Sequence, residues 1–157
     1  AMIALRFSRY KGGRKMKHQF EVELDWHNGR NGTGQLQARQ IRTEVSIPWE
    51  MNGPNIGTNP DEMIIGAAST CYTISFATLL ENANLEPTKL AVRSVGTVDV
   101  TGHVYTFEKI IHYVEVAFNG QDNVARVERL ARKAEEICMI SKALKGNVDV
   151  MVELNIL

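Results

Sequence analysis

The sequence predicts an α+β fold in one domain, with antiparallel sheets and helices set apart from them. Three observations predict it. Strand-like alternation is confined to separate blocks, about residues 20–47, 89–118 and 148–156. Long apolar or helically spaced stretches, Met63–Leu85 and Val124–Cys138, interrupt those blocks instead of alternating regularly with single strands. The turns inside the blocks are dense in Gly and Asn, which suits hairpins between neighbouring antiparallel strands. With 157 residues, 44% of them hydrophobic and 23% charged, the chain has apolar material enough for one core and gives little reason to expect a second domain.

The elements follow in order. Residues 1–17 carry Arg6, Arg9, Lys11, Arg14, Lys15 and Lys17 with Gly12 and Gly13, and no sustained apolar run of a secretory leader. They are expected to form a mobile basic arm without function, Ala1 before Met2 reading as a cloning remnant. The fold is expected over residues 18–157, with Met16 as a candidate start. Phe20, Val22, Leu24 and Trp26 alternate with Glu21, Glu23 and Asp25, the period of a half-buried strand. The run His27-Asn28-Gly29-Arg30-Asn31-Gly32 tolerates positive φ and predicts a reversal. A return strand over 34–40, a third over 42–47 and a loop over 48–58 come next, the loop marked by Pro48, Gly53, Pro54 and Gly57.

A helix then opens at Asn59-Pro60-Asp61-Glu62. Asn59 caps it, Pro60 suits its first position, and two acids sit at the positive end of its dipole. Ile64, Ile65, Ala68, Ile74, Phe76, Leu79 and Leu80 spread round its circumference, which predicts a largely buried helix. Residues 89–100 and 105–118 read as two strands joined at Thr101-Gly102-His103. After the break Asn119-Gly120-Gln121-Asp122, residues Val124, Val127, Leu130, Ala131 and Ala134 recur at helical spacing. A further helical turn over 141–144 ends at Gly146, and Val148, Val150, Val152, Leu154 and Ile156 form the last strand.

Composition excludes several functions. Lys plus Arg and Asp plus Glu number 18 each, so no electrostatic footprint for nucleic acid exists. No apolar run is expected to reach the roughly 20 residues of a membrane span, and the protein reads as soluble and not membrane-bound. Two cysteines are too few for a disulfide scaffold, and His18, His27, His103 and His112 lack metal-ligand spacing, so neither metal nor cofactor is expected. Reduced thiols in a cytoplasm are the default.

Chemistry therefore rests on Cys71 and Cys138. Cys71 lies about three turns into its helix, too deep for that helix's own dipole to stabilise a thiolate, so a cation from elsewhere is needed. Arg30, Arg39, Arg42 and Arg93 are the candidates. Arg30 stands out because it sits in a Gly-rich turn and a guanidinium can bridge a thiolate and a carboxylate. Asp61, ten residues before Cys71, is about 15 Å away along a straight helix and reaches it only through an intervening group, a bend or a second subunit.

Asn59–Cys71, together with Ile137-Cys138-Met139-Ile140-Ser141 and Gly146-Asn147-Val148-Asp149-Val150, resembles the OsmC/Ohr family of osmotically inducible and organic hydroperoxide resistance proteins over about residues 18–157. The resemblance implies an intertwined homodimer built around the cysteine-bearing helix, with thiol peroxidase activity. Cys71 is then the peroxidatic cysteine and Cys138 the resolving one. Arg30 lowers the Cys71 pKa and polarises the peroxide, and an acid, Asp61 or its neighbour Glu62, orients that arginine. The implied partners are an organic or fatty-acid hydroperoxide as substrate, in an apolar pocket with Ile65, Phe76, Met139 and Ile140, and an external dithiol reductant such as a lipoylated protein. Two departures mark a divergent branch: Asp61 stands where the family usually has Glu, and Met139 follows the second cysteine where Pro is common. The competing expectation is a non-catalytic dimer of the same fold that binds a small apolar ligand at its interface. A third is a structural disulfide between Cys71 and Cys138.

Overall fold

A computed structural model of the chain describes residues 16–120 and 123–157. The basic arm, apart from Met16 and Lys17, and residues Gln121 and Asp122 of the predicted break lie outside the described residues. The chain divides into two compact units, one ending at Thr58 and one running from Asn59 to Leu157.

The first unit is a three-stranded antiparallel meander of β1 (Glu23–His27), β2 (Thr33–Gln37) and β3 (Arg42–Val45), in that order across the sheet. Asn28 and Gly29 take the positive φ that the first reversal requires, at 71° and 64°. The Trp26 indole N–H donates to Gly29 O at 2.7 Å and fastens the turn. After β3 the chain passes through a short 3₁₀ turn, Trp49–Met51, and folds back along the strand. Ser46 closes this return: its hydroxyl donates to Ile56 O at 2.8 Å and accepts the Ile56 N–H at 2.6 Å. The predicted burial of alternate residues here does not hold. Phe20, Val22, Leu24 and Trp26 are all exposed, and β1 is exposed along its whole length. A sheet face is buried only by a second layer, and the described residues of this unit form none.

The second unit contains α1 (Pro60–Asn82), β4 (Pro87–Thr101), β5 (Val104–Phe118), α2 (Val124–Ile137), α3 (Met139–Leu144) and β6 (Asp149–Ile156). Strands β4 and β5 form a long antiparallel hairpin whose turn residues, Gly102 and His103, have φ of 55° and 66°. Strand β6 lies beside β5 and runs parallel to it, from Lys109↔Asp149 to Val116↔Ile156. Parallel neighbours need a crossover, and α2 with α3 supplies it. Asn59 caps α1 as expected: its Oδ1 accepts the Glu62 N–H at 2.9 Å and its Nδ2 donates to Glu62 Oε1 at 2.9 Å, so each residue satisfies the other.

The core lies between these elements. Tyr72, Phe76 and Leu80 of α1 pack with Val114 and Val116 of β5 and with Val127, Ala131 and Ala134 of α2. Where α1 crosses β4, Gly96 makes room for Ile65: a Cβ there would stand 2.5 Å from Ile65 Cδ1 and 2.7 Å from Phe107 Cζ. Only one stripe of α1, Ala68, Tyr72, Phe76 and Leu80, is buried, at i, i+4, i+8 and i+12. Ile74 remains 61% exposed. The expectation of a largely buried helix is not met: the sheet and α2 cover one stripe, and the apolar residues on its other faces stay exposed or half-buried. Contrary to the expectation from its apolar runs, α1 has the length and composition to cross a membrane, with 23 residues; here it packs through that stripe into the core.

Candidate functional site

Helix α1 carries Cys71 beside its buried stripe and leaves it partly accessible. Helix α2 ends at Cys138, which is wholly buried and serves as the corner residue between α2 and α3, with φ −56° and ψ 119°. Val127, Ala131, Ala134 and Cys138 share the inner face of α2 at i, i+4, i+7 and i+11, so the burial that seats the helix also seats the second cysteine. The packing of both helices makes the two free thiols electrostatic neighbours. Sequence placed them 67 residues apart, and the fold joins them.

The electrostatics of the pair are asymmetric. Burial alone pushes the Cys71 thiol up, but the Cys138 thiol, the backbone N–H groups of Ile140 and Met139 and the Ser75 hydroxyl all favour its thiolate and hold its pKa below the ordinary thiol value. Cys138 moves the other way. Its burial raises it, Ser141 opposes that from its side chain and backbone, and the adjacent Cys71 raises it further. The Ser141 N–H reaches Cys138 Sγ at 3.5 Å, while the buried Ser141 hydroxyl lies beside this sulfur without closing a well-formed hydrogen bond. Of the two thiols, Cys71 is thus the one whose surroundings favour ionisation and Cys138 the one whose surroundings oppose it.

The other predicted residues stand as follows. Asp61 and Glu62 occupy the first turn of α1, near its cap and well before Cys71. Arg30 belongs to the first unit, where its Nη2 donates to Met51 O at 2.8 Å and its Nη1 to Asn31 Oδ1 at 2.9 Å and to Asn52 O at 3.4 Å. It thus ties the Gly-rich turn to the 3₁₀ turn. Arg39 and Arg42 are exposed on the same unit. Arg93 is excluded as a partner for Cys71: Gly96, an odd number of residues along β4, faces α1, whereas Arg93 points off the opposite side of the sheet and lies 4.3 Å from the centre of the Tyr113 ring. Phe76 is fully buried in the core and lines no open pocket, contrary to expectation; Met139 is exposed and Ile65 and Ile140 partly so. A groove lined by Ala91, Arg93, Tyr113, Glu115, Glu153 and Asn155 runs on the outer face of the β4–β6 sheet, away from the cysteines. Among the described residues no three His, Cys, Asp or Glu side chains gather to hold a metal ion.

Three groups that act on Cys71, the Ser75 hydroxyl and the main chain of Met139 and of Ile140, escaped the sequence reading, as did the surroundings of His112. Ser75 follows Cys71 by one helical turn, a spacing that could have marked it. The Met139 and Ile140 N–H groups carry no side-chain signature. His112, fully buried beneath Tyr72, stacks on that ring at 5.1 Å and pairs its Nδ1 with Ser94 Oγ at 2.6 Å.

Comparison with known proteins follows the same lines. The model of the family described as OsmC-like protein matches residues 53–153. The uncharacterised protein YmaD of Bacillus subtilis is 44% identical over 142 residues, covering 88% of this chain and 95% of that one. The organic hydroperoxide resistance protein of Xanthomonas axonopodis pv. citri is 26% identical over 129 residues, covering 80% and 87%. Among solved structures, the organic hydroperoxide resistance protein OsmC of Legionella pneumophila superposes with a TM-score of 0.71 at 21% identity, over 88% of this chain and 99% of that one.

Proposed function

The chain belongs to the OsmC-like protein family, and we propose that it is a thiol-dependent peroxidase that reduces organic hydroperoxides, fatty-acid hydroperoxides among them. The observation that carries the reading is the asymmetry of the cysteine pair: an accessible Cys71 with a lowered pKa against a buried Cys138 with a raised one. That difference supports Cys71 as the attacking thiol and Cys138 as the resolving one. The Cys71 thiolate displaces on the peroxide oxygen distal to the organic group, forming the S–O bond as the O–O bond breaks. The alkoxide leaves, takes a proton and departs as alcohol, and Cys71 becomes a sulfenic acid. Cys138, its neighbour across the helices, attacks that sulfur; water is released and the Cys71–Cys138 disulfide forms. An external dithiol, for which a lipoylated protein is a candidate, reduces it.

In this reading Arg30 stabilises the Cys71 thiolate and the departing oxygen, with Asp61 or Glu62 orienting it in a homodimer, and a reducing cytoplasm maintains the thiols. Two features support it. The relative from Xanthomonas is named for organic hydroperoxide resistance, and Arg30 is already anchored through two main-chain carbonyls, so its guanidinium is held in a set direction. Purified reduced protein with dithiothreitol is expected to consume cumene hydroperoxide faster than hydrogen peroxide. Cys71→Ser should abolish turnover, while Cys138→Ser should reduce one equivalent of peroxide and stop without a monothiol. If reduced protein consumes neither peroxide, the enzymatic reading falls and the non-catalytic one takes its place.

A further inference from the structure

The loops of the first unit hold three Asn-Gly pairs, Asn28-Gly29, Asn31-Gly32 and Asn52-Gly53. In such a pair the main-chain nitrogen of the glycine can attack the side-chain amide of the asparagine, because no Cβ on the second residue blocks the approach. The attack requires that nitrogen to lose its proton and its peptide to turn toward the side chain, so a hydrogen bond from the glycine N–H opposes it.

The three pairs differ in this respect. The Gly32 N–H donates to Gly29 O at 3.1 Å, and Asn31 Oδ1 is itself held by Arg30 Nη1 at 2.9 Å. The Gly53 N–H donates to Pro48 O at 3.0 Å, and Asn52 O accepts from Arg30 Nη1 at 3.4 Å. At the first pair, by contrast, neither Asn28 O, the Gly29 N–H nor the Asn28 side chain has a hydrogen-bond partner among the described residues, and both residues are exposed. The peptide after Gly29 is fixed, since the Trp26 indole and the Gly32 N–H both donate to Gly29 O. The turn thus holds its Asn31-Gly32 peptide and leaves the Asn28-Gly29 peptide free to rotate.

We infer that Asn28 is a site of spontaneous deamidation in the turn that carries Arg30. The Gly29 nitrogen attacks Asn28 Cγ, and the C–N bond of a succinimide forms as ammonia leaves. Water then opens the ring, giving aspartate from one carbonyl and isoaspartate from the other. Neither an oxidant nor a reductant takes part. Either product carries a negative charge two residues before Arg30. Isoaspartate also adds a methylene to the main chain of a reversal built on φ of 71° at Asn28 and 64° at Gly29, and so displaces the turn that Arg30 ties to Met51 O and Asn52 O.

The test uses the full reduced chain held at physiological temperature in mildly alkaline buffer. Trypsin cuts after Arg30 and separates Asn28 from Asn31, so mass spectrometry follows each site on its own peptide. The Asn28 peptide should gain about 1 Da and accept methyl groups from an isoaspartyl methyltransferase. It should convert about tenfold faster than Asn31 or Asn52, each of which must first break a hydrogen bond. In urea the three rates should converge, because unfolding frees all three glycine nitrogens. Asn28→Gly tolerates the same positive φ and lacks the amide; its peptide should hold its mass and accept no methyl group. The assignment is overturned by a folded chain in which Asn28 converts no faster than the other two, by an advantage that persists in urea, or by methylation of that peptide in Asn28→Gly. No peroxide enters these readouts, so the site stands or falls apart from the activity proposed above.

Discussion

At the scale of single residues, the two cysteines were visible in the sequence and their division of labour was not. Burial raises both thiols; at Cys71 it is outweighed by the Cys138 thiol, the Ile140 and Met139 main chain and the nearby Ser75 hydroxyl, whereas at Cys138 the neighbouring Cys71 adds to it. His112 is the other residue whose state is decided by surroundings. It is fully buried, its Nε2 has no hydrogen-bond partner among the described residues, and burial pushes its pKa below the ordinary histidine value. The consequence for stability has a definite sign. Unfolded chains take up the proton near the ordinary value of about 6.5, and the folded chain refuses it until lower pH, so stability from this group is full above that value and falls as pH drops below it. Urea unfolding between pH 7.5 and 5 should therefore show a loss approaching about 1.4 kcal/mol per pH unit from this group. His112→Gln, whatever its overall cost, should flatten that dependence. Parallel pH dependences in the two proteins would contradict the assignment.

At the scale of elements, helices and caps were the most legible. Asn59, Pro60 and the acids after them announced the start of α1 because a helix start has local chemistry, and the Asn59–Glu62 exchange confirms it. The hairpin β4–β5 followed from Gly102 and His103 and from the β-branched runs on either side. The parallel placement of β6 was not readable, since it depends on which edge of the sheet the α2–α3 crossover leaves open. Gly96 is another feature of this kind. It looks like a weak spot in a strand and is the place where α1 seats Ile65 against β4 and Phe107. Gly96→Val should cost about 1–3 kcal/mol in chemical denaturation by overpacking this crossing. Ile65→Ala in the same chain should return part of that loss; additive losses would show that the crossing is not the cause.

At the scale of the whole molecule, the described residues leave apolar side chains exposed. Phe20, Val22, Leu24 and Trp26 lie exposed on the first unit, and Ile74 on α1, although their patterns are those of residues meant for burial. The homodimer implied by the family resemblance is a natural occupant of such surface. Sedimentation equilibrium should give twice the 17.6 kDa mass of one chain. Leu24→Lys combined with Trp26→Glu should shift the equilibrium toward monomer and lower peroxide turnover in parallel. A parent chain that sediments as a monomer at micromolar concentration would refute the assembly.

The sequence by itself determined the element types, the capped start of α1, the family and the two sulfurs on which chemistry depends, because these rest on local propensity and short motifs. Tertiary structure decided what those sulfurs meet. Only the packing of α1 against α2 and α3 makes Cys71 and Cys138 neighbours, and only it leaves one thiol partly exposed and the other in the core. A pKa is the free energy of a charge in its surroundings, and those surroundings are assembled from residues far apart along the chain.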